Sequence, residues 1–350
     1  MYTRELKPAP LRPVVVGKPA YGSYTGFFGD LDICGMKRPF GGIPFPVFLT
    51  NVRVMETLRF IYCDENDIGE IEIFNARYFA FMETTLWNRK TGHRLAYRRL
   101  IPPGLVRVPG AFDSGVTACR TRKRYVRIHA RVPKNSILAD FDFLGSNSRP
   151  PCEGSLEMDL SRPDSAKASF LVPYEVKRRC LASCQATAPL HGWLSTRFDD
   201  HRISLDAGVG FYDARKAYYS LRTKISALVG LGRIDGRIVS FQLGNSVSYD
   251  DNRYNDNVLF DGGTIVPLPP VKITRPKGVS GDWMIQDTES MVDLVFTPLS
   301  DSSRYLSAFF LRTDYHTVYG IFNGVLLTGD GKKIVLKDYP GIGKKVRLRI

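Results

Sequence analysis

Long Ala-, Leu- and Glu-rich runs of helical period are missing from this 350-residue chain, which excludes a helical bundle and argues against an α/β fold. No stretch of about 18 consecutive apolar residues occurs, so no helix is expected to span a bilayer. The opening residues, MYTRELKPAPLRPVVVG, hold neither an apolar leader core nor a small-residue cleavage site. No secretory signal is therefore expected, and the location expected is intracellular and cytoplasmic. Histidine is scarce, at five residues, and a G-x-S-x-G elbow is absent, which leaves Ser-His-Asp hydrolysis without a scaffold. Gly230-Leu231-Gly232 ends an apolar strand and no helix follows it, so it is no dinucleotide cradle and no cofactor is expected.

The metal readings fail on spacing. Cys180 and Cys184, with His191 and His201 beyond them, lack the pair spacing of structural zinc sites. Asp250, Asn252 and Asp261 stand at the first, third and twelfth places of a calcium loop, but Asn255 holds the place that needs Gly. No metal is expected, and the six cysteines read as buried free thiols of a reducing compartment.

Gly and Pro are frequent, at 31 and 22, and aromatic residues make up 12% of the chain, with 21 Phe and 17 Tyr. Aromatics favour strands, and Gly and Pro punctuate them. The stretch from Arg202 to Val271 shows the pattern best. Ile203, Leu205, Ala207, Val209 and Phe211 alternate with polar or small residues, and Ile225, Ala227, Val229 and Leu231 repeat the period. Asp235-Gly236 then predicts a tight hairpin, because a type I′ turn needs positive φ at both central residues. Asp261-Gly262-Gly263 and Gly329-Asp330-Gly331 predict two more. Earlier in the chain Leu58, Phe60 and Tyr62 alternate, and so do Ile71 and Ile73 with Glu70 and Glu72, whose carboxylates are expected on a solvated outer face. Ser300 to Ser303 reads as a turn and Thr313 to His316 as a link between strands. At the C-terminal end Val346 and Leu348 alternate with Lys345, Arg347 and Arg349, an edge strand with a basic outer face.

The order of features in the last 150 residues carries a family resemblance. Gly210-Phe-Tyr-Asp213, a strand ending Gly-Leu-Gly, the Asp-Gly hairpin, Gly244-Asn245, Asn257 to Gly262 and Leu268 to Val271 follow one another. Gly320-Ile-Phe-Asn-Gly324 and Asp338-Tyr-Pro-Gly341 close the series. This resembles the domain-of-unknown-function 2804 family, although Ala214, Tyr218, Tyr219 and Ile225 stand where the family pattern is rich in Trp. The resemblance implies a two-part antiparallel β fold similar to lipocalin-like carotenoid hydratases and tocopherol cyclases, and it implies no established activity.

The fold expected is all-β, in two consecutive antiparallel lipocalin-like barrel or sandwich units. Residues 1–50, rich in Pro, Gly and aromatics, are read as an arm packing on the first unit; residues 51–160 form the N-terminal unit and 161–350 the C-terminal one. Barrels of this kind often hold an apolar ligand, so the leading function is binding of a hydrophobic small molecule or lipid. The alternative is an acid-catalysed hydratase or cyclase whose carboxylic acid is raised in pKa by an apolar cavity. Asp213 is the candidate acid, with Tyr212, Arg215 and Asn257 as ligand-binding neighbours. The third reading draws on the net charge of +14: a structural protein docking on an acidic protein assembly. Nucleic acid is not expected as a partner, because the densest basic group, RTRKRYVR at 120–127, carries a single interleaved aromatic, Tyr125.

Overall fold

The computed structural model describes residues 2–39, 45–121, 123–147, 149–174, 179–196, 199–220, 222–308 and 311–349. Residues 40–44 of the N-terminal arm, Arg122 and Lys177–Arg178 of two basic groups lie outside the described residues.

Two curled antiparallel sheets make up nearly all of the protein. The first runs β8 (Arg94–Ile101), β7 (Ala80–Asn88), β6 (Asp67–Asn75), β5 (Val54–Cys63), β15 (Asp199–Tyr218), β14 (Cys180–Thr196), β12 (Cys152–Asp159), β11 (Ser136–Phe143), β10 (Arg124–Arg131), β9 (Gly115–Thr121). A short branch, β13 (Ala166–Pro173), β4 (Gly22–Thr25) and β1 (Leu6–Pro8), pairs onto β14. The second sheet runs β19 (Thr264–Pro267), β18 (Val258–Asp261), β17 (Arg237–Gly244), β16 (Arg222–Ile234), β24 (Lys333–Arg349), β23 (Leu311–Leu327), β22 (Val292–Ala308), β21 (Trp283–Asp287), β20 (Val271–Thr274). A two-stranded ribbon, β2 (Val14–Val15) and β3 (Lys18–Pro19), and one helix, α1 (Val47–Asn51), belong to the arm region. Among the described residues no helix is long and apolar enough to cross a membrane.

The chain passes between the sheets after Tyr218. The loops at 147–154 and 161–166, which the sequence suggests as the join, instead connect strands of the first sheet. The tight hairpins form as read. Asp235 and Gly236 both take positive φ, 51° and 77°, between β16 and β17, and Gly262 and Gly263 do so between β18 and β19.

Side chains alternate between two cores. Leu58, Phe60 and Tyr62 of β5 and Tyr212 and Ala214 of β15 point into the curl of the first sheet. The arm fills that curl with Phe28, Leu31, Ile33 and Met36, while β4 pairs with β13. Phe241, Trp283, Phe296 and Phe322 fill the curl of the second. The opposite faces pack back to back: Ile61, Trp87 and Phe211 of the first sheet meet Val229, Phe260, Tyr319 and Ile342 of the second.

Three expectations change. Ser300–Ser303 is no turn: it lies inside β22, where a bulge falls between Pro298 and Ser300. Thr313–His316 lies inside β23. The C-terminal strand is no edge, because β24 pairs with β16 on one side and β23 on the other. In each case polar residues that suggest solvent or a turn belong to long paired strands, with one face of the strand covered and the other exposed.

A candidate ligand cleft between the two sheets

The seam between the sheets is apolar in the middle and charged beside it. Strand register sets this. Gln185 of β14, Asp213 of β15, Arg59 of β5, Glu72 of β6, Glu83 of β7 and Arg98 of β8 stand opposite one another across six strands. All of these point away from the first curl, and the second sheet lowers Lys344 and Arg304 onto the row.

Glu70 and Glu72, expected in solvent, are each 3% exposed. The reason is the covering sheet: Lys344 Nζ lies 2.9 Å from Glu70 and 2.8 Å from Glu72, and donates to the Tyr315 hydroxyl at 3.1 Å. These three contacts use all three ammonium protons. Tyr315 donates in turn to Glu72. Burial works to raise the Glu72 carboxyl, but the charges of Lys344 and Arg304 and the hydrogen bonds from Lys344 and Tyr315 outweigh it, and the group is lowered to about 2. Tyr315 is raised well above its ordinary value by burial and by the Glu72 charge.

The charges continue as a chain of alternating sign. Arg98 pairs with Glu83 at 2.9 Å, Glu83 with Arg304, Arg304 with Glu72 at 3.5 Å, and Lys344 links Glu72 to Glu70. Arg59 joins Glu70 at 2.7 Å to Asp213 at 3.7 Å, and Arg215 joins Asp213 at 2.7 Å to Asp256 at 2.8 Å. Arg304 is held between the Phe81 and Tyr315 rings, 3.4 and 3.7 Å from their centroids, a stacking that guanidinium planes favour.

Asp213 and Arg215 therefore sit in the seam together. The Asp213 carboxyl is fully buried and accepts from Arg215 Nε on both oxygens; burial pushes it up, against the pull of the Arg215 and Arg59 charges. Tyr212 is on the other face of β15, in the first curl, with Phe27 and Phe112 around its ring. Asn257 is buried in the second half, where its side chain accepts from Gly244 N and donates to Pro269 O. The structure brings two of the four together and places the other two in separate cores. Cys180 and Cys184 lie in the first curl, where burial raises the Cys184 thiol to about 12. His201 instead pairs with Asp64 at 2.7 Å. Asp64, Asp67 and His201 lie close enough to be a metal cluster, but Asp64 spends one oxygen capping the Asn66 and Asp67 amides of its own turn.

Beside the charged chain the seam opens. A pocket of about 190 Å³ is walled by Phe79, Phe81 and Leu100 of the first half and Leu306, Tyr315 and Leu348 of the second. Next to it, sharing Tyr305 and Leu348, lies a cleft of about 870 Å³ at the open end of the second curl. Neither is lined by Asp213. Sequence reasoning missed Glu72, Glu83, Arg304, Tyr315 and Lys344. The available signal was Lys344, a cation in the otherwise apolar alternation Ile342, Val346, Leu348.

The family model described as "Domain of unknown function (DUF2804)" matches residues 49–350. The chain belongs to this family. The matched span of the DUF2804 protein takes in both sheets' long strands and the whole charged seam, and leaves the arm before residue 49 outside. No curated protein matches it. Among solved structures it is similar to CghA, with a TM-score of 0.49 and 11% identity over 85% of this chain and 88% of that one. The structure of CghA with Sch210972 gives 0.47 and 12%, over the same 85% and 88%. Kievitone hydratase from Nectria haematococca gives 0.45 and 8%, over 84% and 88%.

Proposed function

We propose that the protein binds a hydrophobic small molecule or lipid in the cleft between its two sheets. The observation that carries this is the 190 Å³ pocket walled by apolar side chains of both halves and bordering a larger opening at Tyr305 and Leu348. Apolar concavities with a few placed polar groups are the usual form of small-molecule sites, and Arg99 and Thr313 stand among the apolar walls here. Native mass spectrometry of the purified protein, followed by denaturing extraction, tests it. An apolar molecule released at near-unit occupancy from the wild type, and lost from Leu306→Trp, is the expected result. An empty wild-type protein counts against the reading and turns attention to docking of the basic surface on an acidic assembly.

A second reading, acid-catalysed hydration or cyclisation of that ligand, stands behind the first: the buried carboxyl of Asp213 is shifted upward, but it is paired with Arg215 and Arg59 and lines neither opening. Asp213→Asn keeps the side chain's shape and removes its acid. If the reading holds, the ligand recovered from the variant differs from the wild-type product by one water or by an unclosed ring; the same molecule from both proteins sinks it.

A further inference from the structure

At the open end of the second curl, three strands bring like charges directly opposite one another. Arg222 of β16, Arg349 of β24 and Arg312 of β23 form one cross-strand row. In the next row Lys224 is opposite Arg347, and Arg347 has the carboxylate of Asp314 on its other side. Like charges directly opposite in a sheet destabilise it, and antiparallel pairing does not require them here. Arg179 faces this patch across the 870 Å³ cleft. Among the described residues Asp314 is the one carboxylate lining the cleft, and it is already engaged by Lys345 at 3.2 Å and His316 at 3.2 Å. Arg275, close by, is lowered by burial and then by the Arg347 charge. The apolar pocket lies on the other face of the same strands, reached past Tyr305 and Leu348, which line both openings.

We infer that the ligand of this cleft is an amphiphile with an acidic head group. Its carboxylate or phosphate sits against Arg222, Arg312, Arg347 and Arg349, and its apolar tail enters the pocket between Phe81, Leu100 and Leu306. The guanidiniums suit either head, since their planar forks match both carboxylate and phosphate oxygens. An anion bound there relieves the like-charge pairs Arg222/Arg349, Arg312/Arg349 and Lys224/Arg347, so a feature that costs stability in the free protein gains its use when the ligand arrives. This rests on the binding reading above and adds the chemistry of the head group.

Isothermal titration of the full chain at low salt with octanoate, octyl phosphate and octan-1-ol tests it, with Arg347→Ser/Arg349→Ser alongside. Expected is binding of one or both acids about tenfold or more tighter than the alcohol. That gap narrows at high salt and closes in the double variant. The same double variant melts no lower than the wild type, because it sheds opposed like charges; a merely structural role for these arginines predicts a lower melting temperature. If octanoate binds and octyl phosphate does not, the head is a carboxylate; the reverse assigns a phosphate. Equal binding of all three, in both proteins, overturns the acidic head while leaving the apolar site standing. Binding of none overturns both readings. Inorganic phosphate binding as tightly as octyl phosphate overturns the tail.

Discussion

Lys344 is in contact with Glu70, Glu72 and Tyr315 at once, and the pH behaviour of the seam follows from that arrangement. Glu72 titrates at about 2 in the folded protein against an ordinary 4.5. A depressed carboxyl contributes stability that is fully present above the unfolded value and is lost as pH falls through the folded one. The window is therefore about pH 4.5 down to about pH 2, and the contribution is on the order of 3 kcal/mol. Asp213, shifted upward by burial, works in the opposite sense and gains on acidification. Glu72→Gln keeps the shape and removes the titration. Urea unfolding at pH 7 and pH 3 should show the variant less stable at pH 7 and losing less between the two. An unchanged difference from wild type at both pH values would mean that Glu72 is not held down by its cationic neighbours.

Local irregularities interrupt the pairing of the long strands. The β14–β15 pairing shifts register between Leu190 and Gly192, with the extra residues on β15, and the β23–β24 pairing between Phe322 and Gly324, with the extra residue on β24. Both glycines take positive φ, 146° and 136°, and in both a Cβ would collide with a neighbouring strand's carbonyl, that of Ser155 or of Asp293. Gly324→Ala should destabilise the protein by about 1–3 kcal/mol in denaturant unfolding. Gly104→Ala, where a Cβ meets open space, should stay within about 0.5 kcal/mol. Equal effects of the two would remove the dependence of the irregularity on glycine. Hairpins such as Asp235-Gly236 were legible in the sequence because their signal is local: two residues must take positive φ, and few residue types do so cheaply. The seam was not. Whether Glu70 faces water or Lys344 is decided by a strand some 270 positions away in the chain, and period-2 alternation reports only that a residue is on the outer face of its own sheet. Asp213 and Arg215 could be picked out and paired, being two residues apart on one strand. Tyr212, adjacent to Asp213, necessarily points the other way.

At the scale of the molecule the two sheets are joined by the seam and also by the arm. Arg4 donates to the Asn257 carbonyl of the second half at 3.0 Å, and Tyr2 to that of Asn252 at 2.7 Å, before β4 pairs with β13 and Phe28, Leu31 and Ile33 enter the first core. Each of those three side chains is almost wholly buried, and full burial of such a residue contributes roughly 1.5–3 kcal/mol. Deleting residues 2–36 should therefore open the first curl. Increased binding of a hydrophobic dye, with a lowered melting temperature, is the expected outcome; unchanged dye binding would mean that the arm only rests on a core complete without it.

The pairing order also sets when the first half can form during synthesis. β5 ends at Cys63, yet its neighbour in the sheet is β15, which ends at Tyr218. β4 waits in the same way for β13, at Ala166–Pro173. The arm, made before every strand it packs on, has no complete surface to dock on until β13 to β15 have been made, and its Phe and Ile side chains stay uncovered for that time. Non-local pairing of this kind slows folding and leaves apolar segments open to wrong partners. A nascent chain stalled near residue 160 carries β5 to β8 and β9 to β12 as two strand groups without the central β14–β15 pair that joins them.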